Sequence, residues 1–256
     1  MKQAATELGL DVLTPERARE VIEPVRASGA ELGVVVAFGQ LLPDALLDAV
    51  PHGFVNLHFS LLPRWRGAAP VERAILAGDR ETGVCVMELE SGLDTGPVYA
   101  TERVRIGDDE TAGELRARLI ERGTALLVRT VPMVPEWTPA PQVGEPTYAS
   151  KLTVEEFHLD PAQSAVELTR VVRAGNPRPG AWATVDGKRV KVLRARPVDG
   201  ADLDEAPGVL TWPGATLATG TGHLVLEEVQ VEGKRPMAAD AWLAGFGRRH
   251  LSLPIA

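Results

Sequence analysis

The chain has 256 residues, 45% of them hydrophobic and 24% charged, which excludes general disorder and allows a sizeable core, most naturally split between two domains. Its net charge of −8 excludes a general nucleic-acid coat, yet residues 170–196 alone hold eight basic side chains against one acid, Asp186. A single cysteine, Cys85, excludes a disulfide framework; the longest apolar candidate, 32–50, is broken by Gln40, Pro43 and Asp44, and "MKQAATELGL" has no signal-peptide core, so a cytoplasmic protein without a membrane partner is expected.

From the amino terminus, residues 16–28 have helical spacing. "LGVVVAF" (32–38) is a continuous apolar run, as in a buried parallel strand with neighbours on both sides. Pro43 suits the first position of a short helix. Strand 53–58, helix 69–77, strand 83–89, extended segment 97–106 and helix 111–130 follow, the last opened by a Thr111–Glu114 capping box. Cys85, inside strand 83–89, reads as a small buried hydrophobe. This alternation predicts an α/β domain with a mostly parallel sheet. Residues 130–152 hold five prolines without an apolar period and read as an extended linker. An amphipathic helix over 161–175, from Pro161 to Gly175, leads to a hairpin turning at Asp186-Gly187. Short strands near 207–211 and 223–231 then predict a small antiparallel barrel.

Chemistry concentrates at strand ends. Asn56 and His58 are two apart on a strand and therefore share a face. Two polar groups aimed together gain a folded core nothing unless something sits between them. Asp94, in "SGLDTGP", follows the next strand, and open parallel sheets bind ligands beyond the carboxyl ends of their strands. Two strands should thus deliver an amide, an imidazole and a carboxylate to one edge, with Asp94 favouring the charged imidazolium and fixing its orientation. Asp-Thr-Gly also marks aspartic proteases, which need two carboxylates sharing a proton; this chain has one such triplet, in α/β surroundings. Phosphate-loop, dinucleotide, zinc-protease and nucleophile-elbow motifs are absent from the sequence. His52, His158, His223 and His250 lack metal-ligand spacing, and no metal is expected.

"NLHFSLLPRWRGAAPVERAILAGDRETGV" (56–84) and "LDTGPV" (93–98) resemble the signature of the folate-dependent formyltransferases, whose active-site triad is Asn, His and Asp in that order. The likeness extends through "AFGQLLPDALL", "YASKL", "VVRAGNPRPGAWA" and "VQVEGKRPMAADAWLAGF", nearly the whole chain. It points to the branch that appends an OB-like barrel to a Rossmann-like catalytic domain. The resemblance implies a catalytic domain over 1–135, a linker over 136–158 and a tRNA-binding OB-like domain over 159–256. It implies formyl transfer from 10-formyltetrahydrofolate to the α-amino group of initiator methionyl-tRNA, with Asn56, His58 and Asp94 catalytic. Asn56 would donate to the formyl oxygen, and His58, held by Asp94, would be a second donor. Proton transfer would run through this group or a water. Phe38, Gln40, Leu41, Ser60, Leu61, Leu62, Pro63 and Glu90 would wall the folate pocket, and Arg173, Lys188, Arg189 and Lys191 would meet tRNA. A sugar-nucleotide or purine acceptor, or a folate- or RNA-binding protein without turnover, remain alternatives. In that family a strand, a glycine turn, a helix and a basic loop precede the segment resembling "MKQAATELGL", about fifty residues by analogy with a βαβ unit. The expectation is a chain that starts inside the fold, with an exposed strand edge and a half-open site, and that is monomeric when full length.

Overall fold

The computed structural model describes residues 2–198, 205–247 and 250–254, and the chain divides into two compact units that do not follow sequence order. The first takes Met1–Ala68, Gly83–Glu102 and Arg122–Tyr148; the second takes Ala69–Thr82, Arg103–Glu121 and Ala149–Ala256.

At the heart of the first unit is β2 (Phe54–His58), whose apolar members Val55 and Leu57 are buried. β1 (Gly33–Val35) runs parallel to it, with Val35 opposite Asn56. Gly33 permits this approach, since a Cβ there would lie 2.1 Å from the Phe54 ring. β3 (Arg66–Gly67) is a two-residue strand in the loop beyond β2. Helix α1 (Lys2–Glu7) was not legible in the sequence, while the helical spacing over 16–28 becomes a 3-10 turn, Ala18–Val21, and α2 (Ile22–Ala27). Pro43 is the N-cap of α3 (Asp44–Leu47) rather than its first residue.

β4 (Glu81–Glu88) lies on the other side of β2, and β5 (Val98–Arg105) completes the order β1-β2-β4-β5. The α/β class is as expected, but only the β1–β2 register is parallel: β4 pairs β2 antiparallel, His58 facing Cys85 and Leu57 facing Val86. Connection length is not the cause: a parallel return needs about a dozen residues or more, and residues 59–80 exceed that. The chain passes through α4 (Pro70–Ala77), stops it at Gly78, φ 76, and enters β4 antiparallel to β2. Among the described residues β1 pairs on one side, and Val34 and Val36 are exposed, the uncovered apolar strand edge that was expected.

The segment read as a linker is folded onto the first unit. Val98 and Ala140 exchange backbone hydrogen bonds of 2.7 and 2.9 Å, and β6 (Tyr148–Ala149) pairs β3. Proline blocks helix and central strand but leaves such isolated edge bridges available.

Helix α5 (Ala112–Thr130) has the expected cap: Glu114 accepts from the Thr111 amide at 2.8 Å. In the second unit α6 (Ala165–Gly175) starts four residues later than Pro161 suggested, because Ser164 and Glu167 form a reciprocal capping box. β7 (Ala181–Val185) and β8 (Lys188–Val198) meet at Asp186-Gly187, φ 48 and 72, as a type I′ turn requires. With β9 (Val209–Thr211), β10 (Thr216–Ala218), β11 (His223–Val231), β12 (Met237–Ala238) and β13 (His250–Ser252) they form a curled antiparallel half-barrel of order β13-β9-β10-β11-β8-β7, β12 pairing β11. α7 (Ala239–Ala244) follows β12 and packs on β11 through buried Ala239 and Leu243.

Candidate active site

His58 ends β2 and is buried, its side chain 6% exposed. Its Nε2 donates to the Trp65 carbonyl at 2.9 Å, and its Nδ1 faces Asp94 Oδ2 at 3.6 Å. Burial pushes its pKa below the usual 6.5, outweighing Asp94 and the Trp65 carbonyl, which both raise it. Asp94 favours the charged imidazolium as expected, but burial weighs more, which leaves the resting ring neutral at pH 7. The Asp94 carboxylate is engaged elsewhere as well, since Oδ2 accepts from the Gly67 amide at 2.7 Å. Asn56 shares the His58 face by strand alternation, is half-buried, and has no hydrogen-bonded side-chain partner among the described residues.

His58 and Asp94 meet by a route other than two strand ends on one edge. Because β2 and β4 are antiparallel, β4 ends beside the start of β2, and the loop 89–97 must fold back to bring Asp94 to His58. Asp94 and Trp65 both take left-handed backbone conformations, φ 50 and 64, costly for non-glycine residues and common where surrounding contacts fix a site.

Two residues of the supposed linker complete the arrangement. Gln142 Nε2 donates to the carbonyls of Asp94 and Gly96, both at 2.8 Å, while its Oε1 accepts from Arg66 Nε and Nη2 at 3.1 and 2.7 Å. Thr147 Oγ1 accepts from the Trp65 amide at 2.9 Å. Sequence reasoning missed both, because each bond spans more than forty residues and leaves no local pattern.

The other site candidates separate. Leu61, Leu62 and Pro63 are half-buried, and Phe38 and Leu41 are exposed, leaving apolar surface uncovered in the same unit. Ser60 is fully buried and its hydroxyl donates to the Arg64 carbonyl at 2.6 Å, so it closes the turn rather than lining a surface. Gln40 is spent on Ala18 and Glu16 backbone groups. Glu90 is exposed and accepts from Thr95. Cys85 is buried as expected, its thiol donating to the Ser60 carbonyl at 3.1 Å.

Among the basic candidates, Arg173 turns inward, donating to the Glu110 and Gly107 carbonyls at 2.9 and 2.7 Å. It is half-buried, and two other basic residues of that stretch are paired, Arg194 with Glu114 and Arg196 with Glu227. Lys191 reaches the Pro179 carbonyl, Arg189 stacks over Trp182 at 4.1 Å, and Lys188 is exposed. The side chain of His250 lies outside the described set; His158 packs against Trp182, ring centroids 4.6 Å apart.

A mixed sheet carrying Asn56 and His58, with Asp94 on the loop beside it, and an antiparallel half-barrel later in the chain are the setting of a formyl transferase, and the chain belongs to that family: the formyl transferase domain matches residues 6–131 and the formyl transferase C-terminal domain residues 151–247. The methionyl-tRNA formyltransferase of Thermus thermophilus is 48% identical over 244 residues, 93% of this chain and 79% of that protein. Two solved structures share the fold. Methionyl-tRNA formyltransferase from Clostridium thermocellum superposes with a TM-score of 0.61 at 16% identity, covering 90% of this chain and 91% of that one. HypX from Aquifex aeolicus, in complex with tetrahydrofolic acid, gives 0.68 at 21%, and the chain spans 42% of its length. No helix among the described residues is long and apolar enough to cross a membrane.

Proposed function

We propose that this chain formylates the α-amino group of initiator methionyl-tRNA with 10-formyltetrahydrofolate as donor, acting as a cytoplasmic monomer. The observation that carries this reading is a buried His58 facing Asp94, on a strand face shared with an uncommitted Asn56 amide, in a chain 48% identical to a methionyl-tRNA formyltransferase. The apolar side chains of Phe38, Leu41, Leu61, Leu62 and Pro63 suit a flat ring system, and backbone groups beside them would read its polar edge.

The donor supplies a formyl carbon whose bond to folate nitrogen breaks as the bond to the amine forms, with charge building on the formyl oxygen. Asn56 donates its amide N–H to that oxygen; one such donor typically contributes about 10²–10³ in rate. His58, neutral at rest with its hydrogen on Nε2, accepts at Nδ1 the proton that the attacking amine sheds and passes it, directly or through a water, to the departing folate nitrogen. The resulting imidazolium faces two acceptors, the Asp94 carboxylate at 3.6 Å and the Trp65 carbonyl at 2.9 Å, which stabilise the charge that burial disfavours. Of the four candidate cations, Lys188 and Arg189 are the exposed ones that the acceptor's phosphates could reach.

A panel of acceptors tests this reading: methionyl-tRNA, an amino-sugar nucleotide and glycinamide ribonucleotide, each with 10-formyltetrahydrofolate. Formylation of methionyl-tRNA at least about a hundredfold above the others is expected. Preference for either alternative acceptor would overturn the assignment.

A further inference from the structure

Gln142 makes four hydrogen bonds to groups that belong to the site without itself being near the end of any catalytic strand. A primary amide has two donor hydrogens and two acceptor lone pairs, and here all four are used. The donor half fixes the Asp94 and Gly96 carbonyls, on either side of the Thr95 turn. The acceptor half holds the Arg66 guanidinium, whose own backbone amide donates to Thr147 at 2.9 Å. Between these anchors lies Gly67, whose amide donates to Asp94 Oδ2.

Besides Gln142, the Asp94 loop is held by the Gly67 amide on Asp94 Oδ2, the Thr95–Glu90 contact and the Glu88–Pro97 backbone bond, none of which fixes the Asp94 or Gly96 carbonyl. Asp94 stands at φ 50, Leu93 and Thr95 are exposed, and the loop must fold back from the far end of β4. Gly96 permits the fold, since a Cβ there would fall 2.0 Å from the Glu88 carbonyl oxygen. A loop under this constraint relaxes unless something outside it fixes its carbonyls, and Gln142 is the side chain in position to do so.

We infer that Gln142 is a positioning residue: the two donations of its amide to the Asp94 and Gly96 carbonyls hold the Asp94 loop and so set the distance between the Asp94 carboxylate and the His58 ring. The inference rests on the proposed formyl transfer for its kinetic part only. Arg66 is held from one side, which leaves the other edge of its guanidinium for an incoming anionic group, but the clamp does not depend on that.

The test pairs Gln142→Met, which removes all four bonds at similar volume, with Arg66→Met, which removes the acceptor-side pair alone. Hydrogen exchange at the Gly67 amide reads the Asp94 contact directly. Loss of two ordinary hydrogen bonds shifts a local opening equilibrium by roughly 5- to 150-fold. Gln142→Met should therefore raise Gly67 exchange at least about fivefold, with Val229 in β11 unchanged, whereas Arg66→Met should leave Gly67 protection within about twofold of the parent. In formyl transfer, Gln142→Met should lower kcat at least about tenfold and move KM for either substrate less than about threefold, the pattern of a displaced catalytic group. Should Gln142→Met fail to fold, Gln142→Glu, which keeps the Arg66 contact and loses both donations, must show the same Gly67 exchange and kcat losses. Unchanged Gly67 exchange, or a loss confined to KM, overturns the inference. If the parent protein does not formylate methionyl-tRNA, the proposed function falls, while the exchange comparison still decides the clamp.

Discussion

Replacing Asp94 by Asn isolates the charge opposite His58. The asparagine oxygen can still accept from the Gly67 amide, so the loop keeps its anchor. What disappears is the carboxylate 3.6 Å from Nδ1, in a site where the two side chains are 6% and 12% exposed. At an effective dielectric of about 20, a full charge pair at 3.6 Å interacts by roughly 4.6 kcal/mol. If His58 is protonated in the transition state and neutral before it, most of that energy appears in kcat, a loss of about a thousandfold. Exchanging a charge-assisted for a neutral hydrogen bond at Gly67 costs about 1 kcal/mol of stability, equivalent to a Tm drop of some 2–4 °C in a chain of this size. The pH profile adds a signed check. Activity requires neutral His58 and falls as pH drops through its pKa, which lies below 6.5; removing Asp94, which raises that pKa, should move the acid limb lower still. Single-turnover formylation across pH 5–8 measures both. A kcat within tenfold of the parent, or an acid limb moving upward, would refute the proton-acceptor role.

Two further outcomes follow from the same geometry. Because burial lowers the folded-state pKa of His58, the unfolded chain binds more protons below pH 6.5, and stability should fall as pH is lowered through that window; urea midpoints from pH 8 to 5 should show it, and His58→Gln should flatten the curve. Changing Lys188 and Arg189 together to Glu should reduce the salt slope of tRNA binding by roughly 1.4–1.8, whereas Arg173→Met should lower stability by roughly 3 kcal/mol through its two lost carbonyl contacts and leave the slope alone. Equal slope changes in both variants would return Arg173 to the tRNA face.

What could be read from the sequence was local. The Asp186-Gly187 turn, the Thr111–Glu114 cap and the shared face of Asn56 and His58 each depend on residues within a few positions of one another, and each is found. Asp94 was also identified, but the reason offered for its position was wrong: strand ends do not bring it to His58, a folded-back loop does. Long-range hydrogen bonds were invisible. Gln142 sits in a proline-rich stretch whose composition says only that it is irregular, and its partners lie 46 to 76 residues away. Charge counting could not separate Arg173 from its neighbours, because a guanidinium bonded to backbone carbonyls is indistinguishable in sequence from one facing a phosphate.

The arch between Gln142 and Thr147 offers a practical handle. Residues 143–146 are exposed, Val143 at 85%, yet both feet of the arch are bonded to the segment that faces His58. Lengthening a loop costs little, about 0.6 kcal/mol per doubling. An environment-sensitive dye on a cysteine introduced at Val143, with buried Cys85 as the sole competing thiol, would sit in solvent while its tether ran straight to the reacting centre. Substrate arrival would then be visible as an optical signal from a position that never touches the substrate, turning the enzyme into its own occupancy sensor.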